Sequence, residues 1–185
     1  VNEPGCLRCG KPLKDTNAEY CADCTRTKRF FDKGRSLLIH DDNARSIIYD
    51  LKYGGRRDNA DFIGREIALR LGKQILSTGF DAIIPVPLHK KRQFERGFNQ
   101  AELITQKISE NLYDLYGESP PIDTTLLIRH EKTKRQKNLS SQERAENVKG
   151  KFKINPDGIY MRDDNGGVIA DLYGKERRPL YKDYR

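Results

Sequence analysis

The chain has 185 residues, of which 36% are hydrophobic and 34% are charged, a size that allows one core with a small appendage or two domains. Its 35 Lys and Arg residues outnumber 27 acidic residues, giving a net charge of +8 that favours nucleic acid, nucleotide or sugar phosphate as a partner. Apolar runs fall short of the roughly 20 residues of a membrane helix, and the amino terminus has no signal-peptide pattern, so we expect a cytoplasmic protein without membrane insertion.

The four cysteines lie within the first 24 residues as two C-x-x-C pairs, Cys6 with Cys9 and Cys21 with Cys24. Four thiolates spaced in this way can surround a tetrahedral Zn²⁺ ion. We therefore interpret residues 1–30 as a zinc ribbon in which the metal is structural, because four sulfur ligands leave no open position for catalysis. Two disulfides and a redox dithiol are the alternatives.

The next part of the chain is predicted to contain a basic linker (residues 25–33), a short strand (residues 36–40) and two helices. Asp41 or Asp42 can cap the first helix, and Gly54-Gly55 can end it. The second helix is predicted over residues 60–76, ended by Gly79. The apolar faces are predicted to be Ala44, Ile47, Ile48 and Leu51 in the first helix, and Ile63, Ile67, Leu71 and Ile75 in the second.

Residues 82–101 combine an apolar run with cations. Residues 82–86 are typical of a buried parallel strand, which Pro85 and Pro87 should end because proline has no N–H. The following loop is cationic and would lie at the carboxyl end of the strand, where open α/β sheets bind ligands. Its basic residues are His89, Lys90, Lys91, Arg92 and Arg96. We therefore predict an anion site here.

A third helix should begin after Gly97, with Asn99 as its cap. Its predicted inner face is Ala101, Ile104, Ile108, Leu112 and Leu115. Residues 119–121 should break this helix, and residues 124–128 should form a short strand. Residues 129–153 hold nine Lys or Arg and three Glu, which predicts a mobile basic loop leading into a short helix, with a plain solvated loop as the alternative.

Three strings of residues resemble the ComF family of phosphoribosyltransferase-like proteins, which are associated with competence and DNA uptake. The first is Pro85-Val86-Pro87-Leu88 followed by Arg96-Gly97-Phe98-Asn99-Gln100. The second is Leu51-Lys52-Tyr53-Gly54-Gly55-Arg56. The third is the spaced set Arg129, Thr133, Gln136, Leu139, Arg144, Asn147 and Phe152. The resemblance covers about residues 1–153.

The resemblance implies an α/β fold, with a type I phosphoribosyltransferase-like parallel sheet over residues 34–185 and an amino-terminal zinc ribbon. It also implies a strand ending in two acids and a Thr-Thr-Gly loop, which would hold phosphoribosyl pyrophosphate (PRPP) and Mg²⁺. Here Asp163 and Asp164 lack a following threonine, and Asp171 follows an alanine. We therefore expect a PRPP site that is degenerate or truncated after about residue 155.

The resemblance implies a competence protein that binds single-stranded DNA or DNA-uptake proteins. PRPP-dependent phosphoribosyl transfer and an inactive truncated remnant are the alternatives. Candidate nucleic-acid-binding residues are Lys90, Lys91, Lys132, Lys134 and Arg135. Candidate residues for PRPP or another sugar phosphate are Asp163, Asp164, Asp171, Arg92, Arg96, Asn99 and Gln100. Tyr49, Tyr53, Phe94 and Phe98 could stack on bases, although such residues are more often part of a core.

Overall fold

The computed structural model describes residues 5–39, 41–133 and 139–155. The chain divides into two compact units, Val1–Asn59 and Ala60–Arg185. In chain order the described elements are α1 (Ala22–Arg26), α2 (Asp42–Tyr53), α3 (Asn59–Thr78), α4 (Lys90–Arg96), α5 (Gln100–Tyr116), β1 (Leu127–Arg129), α6 (Ser141–Val148) and β2 (Phe152–Ile154). Within these ranges, no helix has both the length and the apolar composition that a membrane crossing requires.

Helix α2 begins and ends as predicted. The side chain of Asp41 accepts a hydrogen bond from the backbone N–H of Ala44 at 2.8 Å, which satisfies a free donor of the first turn. At the end of the helix, the backbone N–H of Gly54 donates a hydrogen bond to the carbonyl of Asp50. The strand predicted just before this helix is wrong, because residues 36–39 form no strand and Leu38 and Ile39 are exposed; His40 lies outside the described residues.

Helices α3 and α5 pack together through a stripe of small residues. Ala60, Gly64, Ala68 and Gly72 of α3 recur at every fourth position and are all buried. The hydroxyl of Tyr116 on α5 donates to the backbone carbonyl of Ala68 at 3.5 Å. Of the predicted stripe on α3, only Ile63 is fully buried, whereas Ile67, Leu71 and Ile75 are half-buried. The close approach of the two helices explains why small side chains occupy the centre of the contact.

The apolar run at residues 82–86 forms a single parallel bridge, between Ile83 and Ile122. The N–H of Ile83 donates to the carbonyl of Pro121 at 2.8 Å, and the N–H of Asp123 donates to the carbonyl of Ile83 at 3.1 Å. The predicted buried strand is therefore wrong in extent, since Val86 is exposed. Prolines 85 and 87 remove the donors that would continue the ladder.

The cationic loop predicted after this run is instead the helix α4. The His89 side chain accepts from the N–H of Lys91, and Gly97 ends the helix in the left-handed conformation at φ 79°. Helix α5 follows, capped by Asn99 as predicted. It ends at Gly117, before the predicted break at residues 119–121, and Leu115 of its predicted inner face is exposed.

Strands β1 and β2 pair antiparallel, with Leu127 opposite Ile154 and Arg129 opposite Phe152. The predicted strand at residues 124–128 begins late because Asp123 forms a turn, accepting from the N–H groups of Thr125 and Leu126. Helix α6 is the predicted short helix of the basic region. Among the described residues, the bridge between Ile83 and Ile122 is the only parallel pairing. Residues 156–185, which were expected to be degenerate, lie outside the described residues.

Candidate metal centre and candidate anion site

A tight turn at the first cysteine pair and a backbone hydrogen bond to the segment before the second pair bring the cysteine pairs together. The N–H of Cys6 donates to the carbonyl of Lys11, and the N–H of Gly10 donates back to the carbonyl of Cys6, both at 2.8 Å. Gly10 adopts a positive φ of 73°, which favours glycine at this corner. The N–H of Leu7 donates to the carbonyl of Glu19 at 2.9 Å, which holds the two parts of the ribbon side by side.

The four thiols form one cluster. The Sγ atoms of Cys6, Cys9, Cys21 and Cys24 all lie within 4.8 Å of one another, and none is in a disulfide. The Sγ atoms of Cys9 and Cys21 are 3.7 Å apart. A tetrahedral zinc ion with Zn–S bonds of about 2.3 Å would separate its sulfur ligands by about 3.8 Å. The cluster therefore fits a four-thiolate metal ion such as zinc.

The thiols of the cluster differ in acidity. Burial raises the pKa of Cys24 to about 12, and neighbouring thiols add to this effect. Burial also acts to raise the pKa of Cys6, but backbone hydrogen bonds from Cys21, Cys9 and Arg8 outweigh it and lower that pKa to about 6. A divalent cation at the centre would favour the thiolate form of every ligand.

The chain after α1 returns to the first cysteine pair. The N–H of Gly34 donates to the carbonyl of Arg8 at 2.5 Å. A Cβ atom on Gly34 would lie 3.2 Å from the Cα of Cys9, and one on Gly10 would lie 3.0 Å from the Cα of Arg35. Glycine at positions 10 and 34 therefore permits this close contact between the two backbones.

Helix α4 carries most of the cations predicted for the anion site. Lys90 and Lys91 are exposed on its first turn, and Arg92 is half-buried. Nη1 of Arg96 donates to Oε1 of Gln100, which links two of the predicted phosphate-binding residues. These side chains therefore present positive charge at the end of the apolar run.

Arg129 of β1 joins this cationic group, although sequence reasoning did not place it among the site residues. Burial lowers the pKa of Arg129, and the positive charge of Arg92 lowers it further. The guanidinium carbon lies 5.4 Å from the centre of the Phe152 ring, and Nη2 donates to the hydroxyl of buried Thr133. Arg129 Nε is buried, with no hydrogen-bond partner among the described residues.

These contacts bring together three members of the third family string, Arg129, Thr133 and Phe152. The spacing of that string was the only sequence signal for Arg129. Two guanidinium groups that repel each other create a local positive potential, and an anion bound near them would favour both charged forms. The arrangement therefore suits phosphoryl groups chemically.

Asn99 has a positioning role in the described contacts. Its Oδ1 accepts from the N–H of Ala101 at 3.1 Å, and its Nδ2 donates to the carbonyl of Val86 at 3.2 Å. The residue is only 7% exposed. Asn99 therefore fixes the start of α5 against the proline-rich segment, and binding of phosphate by Asn99 stays a prediction.

Several predicted residues make none of the contacts named above or lie outside the described residues. Lys132 is exposed. The candidates outside the described residues are Lys134, Arg135, Asp163, Asp164 and Asp171. The predictions of a PRPP site and of Mg²⁺ binding therefore stay predictions.

Three of the four aromatic residues considered for stacking on bases are exposed and are not part of the core. Phe94 on α4 is 91% exposed, and Tyr49 and Tyr53 on α2 are also exposed, with ring centres 5.0 Å apart. Phe98 is half-buried. The exposed rings are available for contact with a ligand.

Curated proteins resemble this chain along most of its length. Competence protein F of Haemophilus influenzae is 29% identical over 158 residues, which are 82% of this chain and 64% of that protein. DNA utilization protein YhgH of Escherichia coli strain K12 is 26% identical over 152 residues, 80% of this chain and 64% of that protein. Competence protein ComFC of Bacillus subtilis is 27% identical over 107 residues, 55% of this chain and 43% of that protein.

These similarities support the interpretation of the chain as a ComF-family protein. No family model and no solved structure matches it. The chain spans 64% of the length of the first two relatives named above. The similarity to these relatives supports the interpretation of the three strings. In this chain, the first string forms the proline-rich segment and the junction of α4 with α5, and the second forms the end of α2.

Proposed function

We propose that this ComF-family protein acts in competence or DNA utilization by binding single-stranded DNA, or the proteins that carry it, through its cationic site. The names of two relatives, Competence protein F and DNA utilization protein YhgH, support the general part of this proposal. The specific part is supported by the cations of α4, where Lys90 and Lys91 are exposed, together with Arg129, whose pKa is lowered by burial and by the positive charge of Arg92. We propose that the site lies on a phosphoribosyltransferase-like domain in a cytoplasmic protein.

The charges around this pair favour a polyanion. Lys90 and Lys91 extend the positive surface along α4 into solvent. Phosphates of a nucleic-acid backbone would replace the repulsion between the arginines with attraction, and they would release bound counterions. The ring of Phe94, 91% exposed on the same helix, supplies a face on which a base can stack.

We also propose zinc as the structural ion of the cysteine cluster. The fit of the sulfur separations to tetrahedral coordination supports this assignment. The thiols of Cys6, Cys9, Cys21 and Cys24 would all serve as ligands. Because no coordination position stays open, the ion would hold the amino-terminal turns together and would take no part in a reaction.

The proposal is tested by measuring the affinity of the chain for an oligothymidylate of about 20 nucleotides at several salt concentrations. We expect affinity to fall steeply with salt. Replacing Lys90 and Lys91 with Gln should weaken binding and reduce the slope of log K against log salt by about 1.4, because each single-strand phosphate contact contributes about 0.7. Charge reversal at Lys132, Lys134 and Arg135 tests the remaining predicted residues.

A matched control replaces two exposed lysines elsewhere, Lys73 and Lys149, with Gln, since this variant has the same net charge. The control should keep the slope of the unmodified chain. Undetectable binding, binding insensitive to salt, or equal losses in the two lysine variants would count against the proposed site.

A further inference from the structure

The segment that follows α1 leaves two adjacent phenylalanines in solvent. Phe30 is 91% exposed and Phe31 is 46% exposed. Single exposed apolar residues are common on protein surfaces. A nearly fully exposed ring beside a second exposed ring is a larger apolar surface, and its position within a charged segment indicates a binding surface.

Cations surround these rings. Residues 26–35, which we call the aromatic segment, contain five basic residues and one acid, Asp32. The basic residues, all exposed, are Arg26, Lys28, Arg29, Lys33 and Arg35. Near its end the segment also approaches the cysteine cluster, because a Cβ atom on Gly34 would lie 3.2 Å from the Cα of Cys9. The aromatic segment thus combines apolar rings with an excess of positive charge and contacts the cysteine cluster.

Both ends of the aromatic segment are anchored. Its first residue ends α1, which carries buried Cys24 of the cluster. Near its last residue, Gly34 donates to the carbonyl of Arg8, and the backbones of Gly10 and Arg35 are in close contact. A segment fixed at both ends loses less conformational freedom on binding than a free tail would lose.

We propose that the aromatic segment is a second binding site for single-stranded nucleic acid, separate from the cationic site of residues 90–133. Phe30 and Phe31 stack on bases, and Lys28 and Lys33 contact the backbone phosphates. Adjacent rings flanked by cations match a single strand, whose bases are accessible for stacking, better than a duplex, whose bases are already stacked. This inference rests on the proposed function for the class of ligand, but its residues belong to the unit Val1–Asn59.

The test uses the full zinc-loaded chain and a labelled oligothymidylate of about 20 nucleotides. Replacing Phe30 and Phe31 with Ala should raise the Kd about 10-fold or more and leave the salt slope unchanged, since stacking releases no counterions. Replacing Lys28 and Lys33 with Gln should reduce the slope by about 1.4. The matched control is Phe80→Ala, because Phe80 is 51% exposed and lies outside the aromatic segment.

Zinc content and circular dichroism establish that each variant is folded. A second variant, with Phe30 and Phe31 replaced by Tyr, keeps the aromatic faces and should bind like the unmodified chain. Leu at both positions keeps apolar bulk but removes the faces, and it should weaken binding as Ala does. Leu variants that bind as tightly as the unmodified chain would overturn stacking.

Two further results would overturn the inference. The first is an equal Kd for the Phe30/Phe31→Ala variant and the Phe80→Ala control. The second is an unchanged DNA affinity with lost binding to phosphatidylglycerol vesicles, which would assign the segment to a lipid surface. If the unmodified chain does not bind oligothymidylate, the proposed function fails. If the Lys90/Lys91 variant loses binding while the Phe30/Phe31 variant does not, only this inference fails.

Discussion

Gly64 of α3 lies against Lys107 of α5 so closely that a Cβ atom on Gly64 would be 2.5 Å from the Cβ of Lys107 and 2.7 Å from its carbonyl carbon. The obstructing atoms belong to the backbone and the base of a side chain, so they cannot rotate away. The ammonium group of Lys107 also pairs with Asp61 of α3 at 3.0 Å. The absence of a side chain at position 64 therefore sets the distance between these helices.

Replacing Gly64 with Val should lower the free energy of unfolding by about 1–3 kcal/mol, because added methyl groups at a tight contact force the helices apart. Urea denaturation measures this loss. The control is Arg65→Ala, at the exposed neighbouring position, which should change stability by less than about 0.5 kcal/mol. An unchanged urea midpoint for Gly64→Val would show that the two helices do not pack as described.

Replacing Cys24 with Ser should remove bound zinc and expose residues 5–36 to proteases, because the ribbon has almost no core besides the thiol cluster. Metal analysis of the purified chain and limited proteolysis measure the two effects. Tyr20→Ala is a suitable control, since it removes the contact of Tyr20 with Arg8 but no thiol. A Cys24→Ser chain that retains stoichiometric zinc would contradict the four-thiolate assignment.

Replacing Asn99 with Ala should lower the free energy of unfolding by about 2 kcal/mol, of which the lost helix cap accounts for about 1 kcal/mol. The rest comes from the carbonyl of Val86, which loses its donor. Asn99→Ser separates the two contributions, because Ser can cap the helix but does not reach Val86. Thermal or urea unfolding should therefore rank Ser between Asn and Ala, and equal stability of the Ser and Ala variants would contradict this division.

The pKa of Glu131 should lie below the ordinary value of about 4.3 for glutamate, because its carboxylate accepts a hydrogen bond from Lys151. A lowered pKa in the folded state stabilises the protein at pH values above the ordinary pKa. That contribution is lost as the pH falls through the folded-state value. Carboxyl-carbon NMR titration should show Lys151→Met raising the Glu131 pKa. Lys149→Met, which removes the partner of Glu146, should leave it unchanged.

The features that the sequence predicted well depend on local chemistry. Asp41 and Asn99 cap helices because their side chains reach N–H groups two or three residues ahead. Gly97 ends α4 because its positive φ favours glycine. The thiol cluster was predictable from spacing alone, since the C-x-x-C pairs define the turns that bring the sulfur atoms together.

The features that the sequence did not predict depend on contacts between distant residues. The small stripe of α3 was missed because its burial depends on how closely α5 approaches, whereas periodicity favoured the larger Ile67 and Ile75. Helix α4 was expected to be a loop because Pro85 and Pro87 end the preceding strand, but Lys, Arg, Gln and Glu favour a helix here. Arg129 lies 37 positions after Arg92 in the sequence, and only the fold brings the two charges into range.

The backbone hydrogen bond from Gly34 to Arg8 joins the end of the aromatic segment to the first cysteine pair. The exposed position of Phe30 and Phe31 therefore depends on the cysteine cluster. Arg8 lies between Cys6 and Cys9 in the sequence. A chelator that removed the metal ion and disrupted the cluster would therefore release both anchors of the aromatic segment together. The aromatic segment between these anchors would become flexible. Its affinity for single-stranded nucleic acid would then fall, although none of its own residues had changed. The availability of zinc would then control the proposed binding of single-stranded nucleic acid by the aromatic segment.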